Sequence, residues 1–234
     1  MDVTRFTLLV LAGSLVAVPV LAQPYLPLAV GNHWSYQGIG GKHEQQTITG
    51  TTMILGRDVY VKSTTESSSN SGLENYWSTE PDGDVFLHGF YRNIEAFGVV
   101  YDPPLRMVDA PLAMGKSWTT HAAIFYLPGM TPGESFDFTE SVLEGAKKLT
   151  VPAGTFAAFG IGQTLAPPAA RTLAGSPLAL DGSVQAISAQ ASEWYSAGVG
   201  EVQFQADDLY QLSSYDFPTP VASTTWGKLK HWYR

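Results

Sequence analysis

Six aromatic side chains are the strongest candidates for touching a ligand: Tyr76, Trp77, Trp194, Tyr195, Trp226 and Trp232. Aromatic faces stack on sugars and offer large apolar area to lipids. The competing reading is that the same rings fill the concave core of a sheet. The stretch Trp226, Lys228, Lys230, Trp232, Arg234 alternates aromatic and cationic residues along one strand face. Such a face can bind a ligand, snorkel at an edge, or blunt edge-to-edge association.

Groups able to do covalent or metal chemistry are scattered. The five histidines, 33, 43, 88, 121 and 231, form neither His-x3-His nor His-Glu-x-x-His, so zinc has no local support. Asp82-Gly83-Asp84 and Asp207-Asp208 supply too few closely spaced oxygens for a calcium loop. No Gly-x-Ser-x-Gly elbow is present. Ala110 to Ser117 (APLAMGKS) mimics a relaxed phosphate loop, but Pro111 removes a backbone donor and Trp118-Thr119 continues as a strand rather than a helix. Paired carboxylates for glycoside hydrolysis cannot be picked out by spacing alone. No catalytic residue, metal ligand or cofactor is therefore assigned.

Composition narrows the classes further. The net charge is −8 and only 15% of residues are charged, a poor match to nucleic acid, whose binding depends on neutralising phosphates. The chain has no Cys, which excludes disulfides, thiolate metal sites and lipid attachment at an N-terminal Cys. Arg5, the apolar run from Phe6 to Val20, and Val20-Leu21-Ala22 fit a signal peptide over residues 1–22, cleaved before Gln23. The run is shorter than the ~20 residues that span a bilayer, so no integral membrane segment is expected after cleavage. The expected location is secreted or periplasmic.

The elements that must position the aromatics read as strands. Aromatics are 12% of the chain, with 23 Gly and 15 Pro, a mix that suits short strands joined by turns. Strands are predicted over 34–37, 43–54 with a bend at Gly50, 59–63, 74–79, 85–87 and 94–101, with Asp102-Pro103-Pro104 closing the last. Further strands are predicted over 118–126, 134–143, 147–151, 157–163, 184–187, 193–195, 199–205 and 209–215, with a final one near 226–233. Ser67 to Gly72 and 128–133 read as loops, and Pro81-Asp82-Gly83-Asp84 as a hairpin turn. Residues 166–183 read as a surface excursion, with one helical turn over 169–174 as the alternative. Helical periodicity is almost nowhere sustained.

Two phrases recur. Pro27-Leu28-Ala29-Val30-Gly31-Asn32-His33-Trp34-Ser35 matches Pro111-Leu112-Ala113-Met114-Gly115-Lys116-Ser117-Trp118-Thr119. Trp77 with Gly83-Asp84-Val85 matches Trp194 with Gly200-Glu201-Val202 at the same spacing. The copies of the first phrase share turn formers and an anchor aromatic and differ in the groups that could react; those of the second share Trp, Gly, an acid and Val. They point to two related β units, 23–108 and 109–234, within one compact domain.

Three motifs carry a resemblance: Gly-Asn-x-Trp-x-Tyr at 31–36, Val-Pro-Ala-Gly-Thr-Phe at 151–156, and Trp-Tyr-x-x-Gly-Val-Gly-x-Val at 194–202. In these the chain resembles exported bacterial β-proteins of unassigned function. The resemblance implies an antiparallel, strongly curved sheet, similar to the half-barrel of periplasmic lipoprotein carriers, and carries over no catalytic residue. The expectation is an all-β fold, half-barrel or barrel-like, with little helix. It would act without catalysis, binding a lipid, a glycan or a protein partner on its curved sheet. The alternatives are an envelope hydrolase and a purely structural surface module.

Overall fold

In a computed structural model that describes residues 23–67, 69–166 and 191–218, the chain forms twelve antiparallel strands closed into one barrel. They are β1 (His33–Gly38), β2 (His43–Ile54), β3 (Arg57–Glu66), β4 (Ser69–Thr79), β5 (Val85–Arg92), β6 (Phe97–Val108), β7 (Ser117–Leu127), β8 (Thr131–Val151), β9 (Gly154–Ala166), β10 (Glu193–Ser196), β11 (Gly200–Gln205) and β12 (Leu209–Asp216). Each strand pairs with its sequence neighbours, and β1 pairs with β12 to close the wall. The described residues contain no helix. The wall is thus a full barrel, and the half-barrel alternative falls away. Residues 1–22, most of the 166–183 excursion, the strands expected at 184–187 and 226–233, and with them Trp226 and Trp232, lie outside the described residues.

Alternation sets the two faces. In β1 and the first half of β2 every second residue is buried: Trp34, Tyr36, Glu44, Gln46 and Ile48 point into the barrel. The outer face of β7–β8 is a ladder of polar cross-strand pairs. Ser117 meets Ser141 and Thr119 meets Thr139, each at 2.8 Å, and His121 meets Asp137 at 2.7 Å. A bilayer-spanning barrel turns an apolar band outward, and this stretch of wall does the reverse.

Several boundaries differ from the sequence expectation for identifiable reasons. Asp102-Pro103-Pro104 does not end a strand, because β6 runs on to Val108. Its pairing with β5 jumps from Gly89↔Val100 to Leu87↔Leu105, so the prolines sit in an irregularity where no ladder N–H is needed. Ser69 to Gly72 belongs to β4, and Thr131 to Gly133 to β8. Residues 134–143 and 147–151 are parts of the single long strand β8. The bend at Gly50 is a register shift between Ile48 and Gly50.

The two copies of the first phrase make the same local structure. Gly31 and Gly115 both have positive φ, 95° and 81°. Gly31 N–H donates to Ile48 O and Ile48 N–H to Asn32 O; Gly115 N–H donates to Val142 O and Val142 N–H to Lys116 O. Trp34 then pairs with Gln46 on β2, and Trp118 with Glu140 on β8. The first copy opens β1 and the second opens β7, so six strands follow each.

The seam between β6 and β7 is only partly paired. β6 and β7 pair only from Gly98↔Leu127 to Asp102↔Ala123. Beyond that, side chains of β7 take over: Trp118 Nε1–H donates to Arg106 O at 2.7 Å, and Thr120 Oγ1 accepts from Arg106 N–H at 3.3 Å. Trp34 does similar work elsewhere, donating to Val199 O at 2.7 Å, and the Tyr36 hydroxyl donates to Glu201 O at 3.0 Å.

Candidate functional site in the barrel lumen

An eight-stranded barrel is just wide enough for its own side chains or one small ligand, and wider barrels can enclose larger cavities. Here the lumen holds ionisable groups where a purely structural core would be hydrocarbon. Glu44 and Gln46 come from β2, Lys62 and Thr64 from β3, Glu140 from β8, Gln163 from β9, Glu193 and Tyr195 from β10, and Glu201 from β11. Glu44, Gln46, Lys62, Thr64 and Glu140 are buried. Glu193 and Glu201 are half-buried.

On one side of the lumen the groups form a chain. Lys62 Nζ donates to Gln46 Oε1 at 2.9 Å, and Gln46 Nε2 donates to Glu44 Oε1 at 2.6 Å. The Lys62 ammonium also lies 4.7 Å from the centre of the Trp77 ring, a cation–π contact. Burial pulls its pKa below the ordinary lysine range, opposed by the charges of Glu201, Glu44 and Glu193. On the other side, Glu193 accepts from Gln163 Nε2 and from the Tyr195 hydroxyl, the latter at 2.8 Å.

Glu140 stands apart. It is wholly buried, and neither carboxyl oxygen has a hydrogen-bond partner among the described residues. Trp118 and Gln163 lie near enough to favour its charge, but the indole N–H is directed at Arg106 O, and Gln163 gives one amide proton to Glu193 and has only the second left for Glu140. Burial pushes the Glu140 pKa well above the carboxylate range, and the Glu193 charge pushes it further. Glu201 is raised in the same way, by burial first and then Glu193, with Lys62 opposing. Glu44 and Glu193 are raised by burial, with their hydrogen-bond partners and Lys62 pulling the other way. The cost of ionising buried carboxylates favours the neutral acid, most strongly at Glu140 and Glu201.

Of the aromatics singled out by sequence, the structure gathers some and separates others. Adjacent strand residues point to opposite faces. Trp77 and Tyr195 therefore face the lumen, against Lys62 and Glu193 respectively. Tyr76 and Trp194 lie on the opposite face, and the Lys147 ammonium covers the Trp194 ring at 4.0 Å. Lys116, the lysine of the phosphate-loop mimic, bonds back to Asp109 O and Pro111 O and pairs with Asp109 at 3.1 Å. His88 is buried against Ser78 Oγ at 2.8 Å, and His121 is exposed beside Asp137.

Sequence reasoning missed the glutamates and Lys62. A signal was there: Glu44, Gln46 and Ile48 alternate in one strand, so a polar pair shares a face with a core residue. That pattern marks a wet interior but cannot show which strands meet across it.

No family model matches the chain, and no curated protein matches it. Among solved structures, a "putative lipoprotein" from Parabacteroides distasonis ATCC 8503 is similar at 13% identity and a TM-score of 0.36, covering 83% of this chain and 99% of that one.

Proposed function

We propose that this chain is an exported, non-enzymatic binding protein that holds a small polar ligand inside its barrel. The observation that carries the reading is Glu140, a wholly buried carboxyl group with no partner, set beside the Glu193–Gln163–Tyr195 cluster. A buried polar group without a partner costs about 1–3 kcal/mol, and a ligand that satisfies it recovers that cost on binding. A wholly apolar guest does not fit this lining. It would press hydrocarbon against Glu44, Lys62, Glu193 and Glu201 and leave their polar atoms worse solvated than before. Trp77 and Tyr195 supply aromatic faces beside these polar groups, the mixture common to small-molecule sites.

Native mass spectrometry of protein expressed with export to the periplasm tests this. A co-purified small-molecule adduct, lost when Glu140 and Glu193 are both changed to Gln, is the expected result. A clean apo mass, together with no melting-temperature response to a library of polar metabolites, would count against the reading.

A further inference from the structure

Resting on a ligand held in the lumen, we infer that this ligand presents a primary ammonium group to Glu140 and Glu193, on the β8–β10 side of the barrel. The argument comes from comparing the two halves at matched register. Each anchor tryptophan has a cross-strand partner: Gln46 for Trp34 and Glu140 for Trp118. On the following strand Gln46 faces Thr64, and Glu140 faces Gln163. Two residues further along, Ile48 faces Lys62 in the first half, and Val142 faces Ile161 in the second.

The first half therefore carries its own ammonium. Lys62 lies against Gln46, within the field of Glu44, Glu193 and Glu201, and over the Trp77 ring. The second half has Ile161 at the matched position and a full carboxyl group, Glu140, where the first half has the neutral Gln46. It has gained an acid and lacks the lysine. No cation among the described residues offsets Glu140.

The donor and acceptor balance points to the same class. Gln163 and Tyr195 already give protons to Glu193, and Trp118 gives its proton to Arg106 O. Gln163 keeps one further N–H on the Glu140 side; apart from it, what faces the two carboxyl oxygens is acceptor oxygen. An ammonium brings three donors and no acceptor. A sugar hydroxyl brings one donor with two acceptor lone pairs and leaves the charge uncompensated. Nearby aromatic rings further favour a cation, as the Lys62–Trp77 pair shows within this barrel.

The test is calorimetric titration of the purified protein with putrescine, and with 1,4-butanediol as its uncharged analogue, in phosphate and in HEPES. Saturable putrescine binding is expected, with heat that depends on the buffer because Glu140 gives up its proton as the ammonium arrives. Binding should tighten from pH 6 to pH 8.5, and butanediol should give no heat. Glu140→Gln should weaken putrescine at least ten-fold and abolish the buffer dependence, while the surface change Glu95→Gln should do neither. Ile161→Lys, which installs the ammonium of the other half, should abolish binding in a protein whose circular dichroism is unchanged. If that variant misfolds, Glu140→Gln and Glu193→Gln decide the matter. Butanediol binding with putrescine silent would overturn the ammonium and leave the polar-ligand reading standing. Silence from both probes would also overturn it, and the native mass spectrum would then judge the broader reading alone.

Discussion

Glu140 concentrates the residue-scale physics, because burial without a partner ties its proton to the stability of the fold. Below its ordinary pKa of 4.5 both folded and unfolded chains carry the proton, and the group adds no pH dependence. Above it the unfolded chain releases the proton while the folded chain keeps it. The folded state then binds more protons, so stability falls as pH rises from about 4.5 toward the elevated folded value. Glu201 adds to this in the same direction. His88 acts with the opposite sign in an overlapping window. Burial, helped by the Arg57 charge, lowers its pKa from 6.5 to about 4, so the stability it leaves intact above 6.5 is lost as pH falls to 4. Urea denaturation can separate the two. Glu140→Gln, which leaves a neutral amide in the same place, should gain on the parent as pH rises above 4.5, with the gap widest at pH 8 and closed by pH 4.5. His88→Gln should lack the parent's loss between pH 6.5 and 4. A constant offset for Glu140→Gln across pH would show that its carboxyl is not held protonated by the fold.

At the scale of elements, the repeated phrase is a device for starting a strand and stitching it to something other than its neighbour's ladder. Trp34 and Trp118 each use the indole N–H to satisfy a backbone carbonyl, Val199 O and Arg106 O, while the rings sit in the core. Trp118 does this at the seam where β6 and β7 have stopped pairing. Changing either residue to Ala should cost roughly 3–5 kcal/mol, as loss of a large buried aromatic does. Changing Trp118 to Phe keeps much of the packing but strands the Arg106 carbonyl, at about 1–3 kcal/mol. Thermal melts of the three variants check this, and near-parental melting of both Ala variants would show that the phrase is no core anchor. The phrase and its strand starts were legible in the sequence because Pro, Gly and Trp act locally. The hydrogen bonds were not, since their acceptors lie far along the chain. The same distance hid the candidate site: Glu44, Lys62, Glu140 and Glu193 each look like an ordinary strand residue until the wall closes and brings them together. Strand alternation also explains why Tyr76–Trp77 and Trp194–Tyr195, neighbours in sequence, do not share one groove.

For the whole molecule the decisive contact is β1 with β12, since it turns a curved sheet into a barrel and gives the lumen its acids from both chain ends. Curvature could be read from Gly, Pro and aromatic content, but closure depends on the register between His33–Gly38 and Leu209–Asp216, which no local pattern encodes. The parallel hydrogen bonds at Gly31 and Gly115, with six strands after each phrase, support our proposal that 23–108 and 109–234 are copies of one unit. On that view β6–β7 and β12–β1 are the two junctions, and they differ in strength. The ladder at β12–β1 runs from His33↔Asp216 to Gly38↔Tyr210, whereas β6–β7 pairs over only part of its length. Amide hydrogen exchange reads this difference directly, because local opening ranges from nearly free to the full unfolding energy. Peptides covering 33–38 and 209–211 should exchange as slowly as those of β2 and β3. Peptides covering 103–108 and 117–122 should exchange faster, since each pairs along one side only, and a lumen ligand should slow them. An open sheet would invert the order, with β1 and β12 fraying as free edges while β6–β7 stayed protected at its centre. That result would remove the enclosed lumen on which both functional proposals depend.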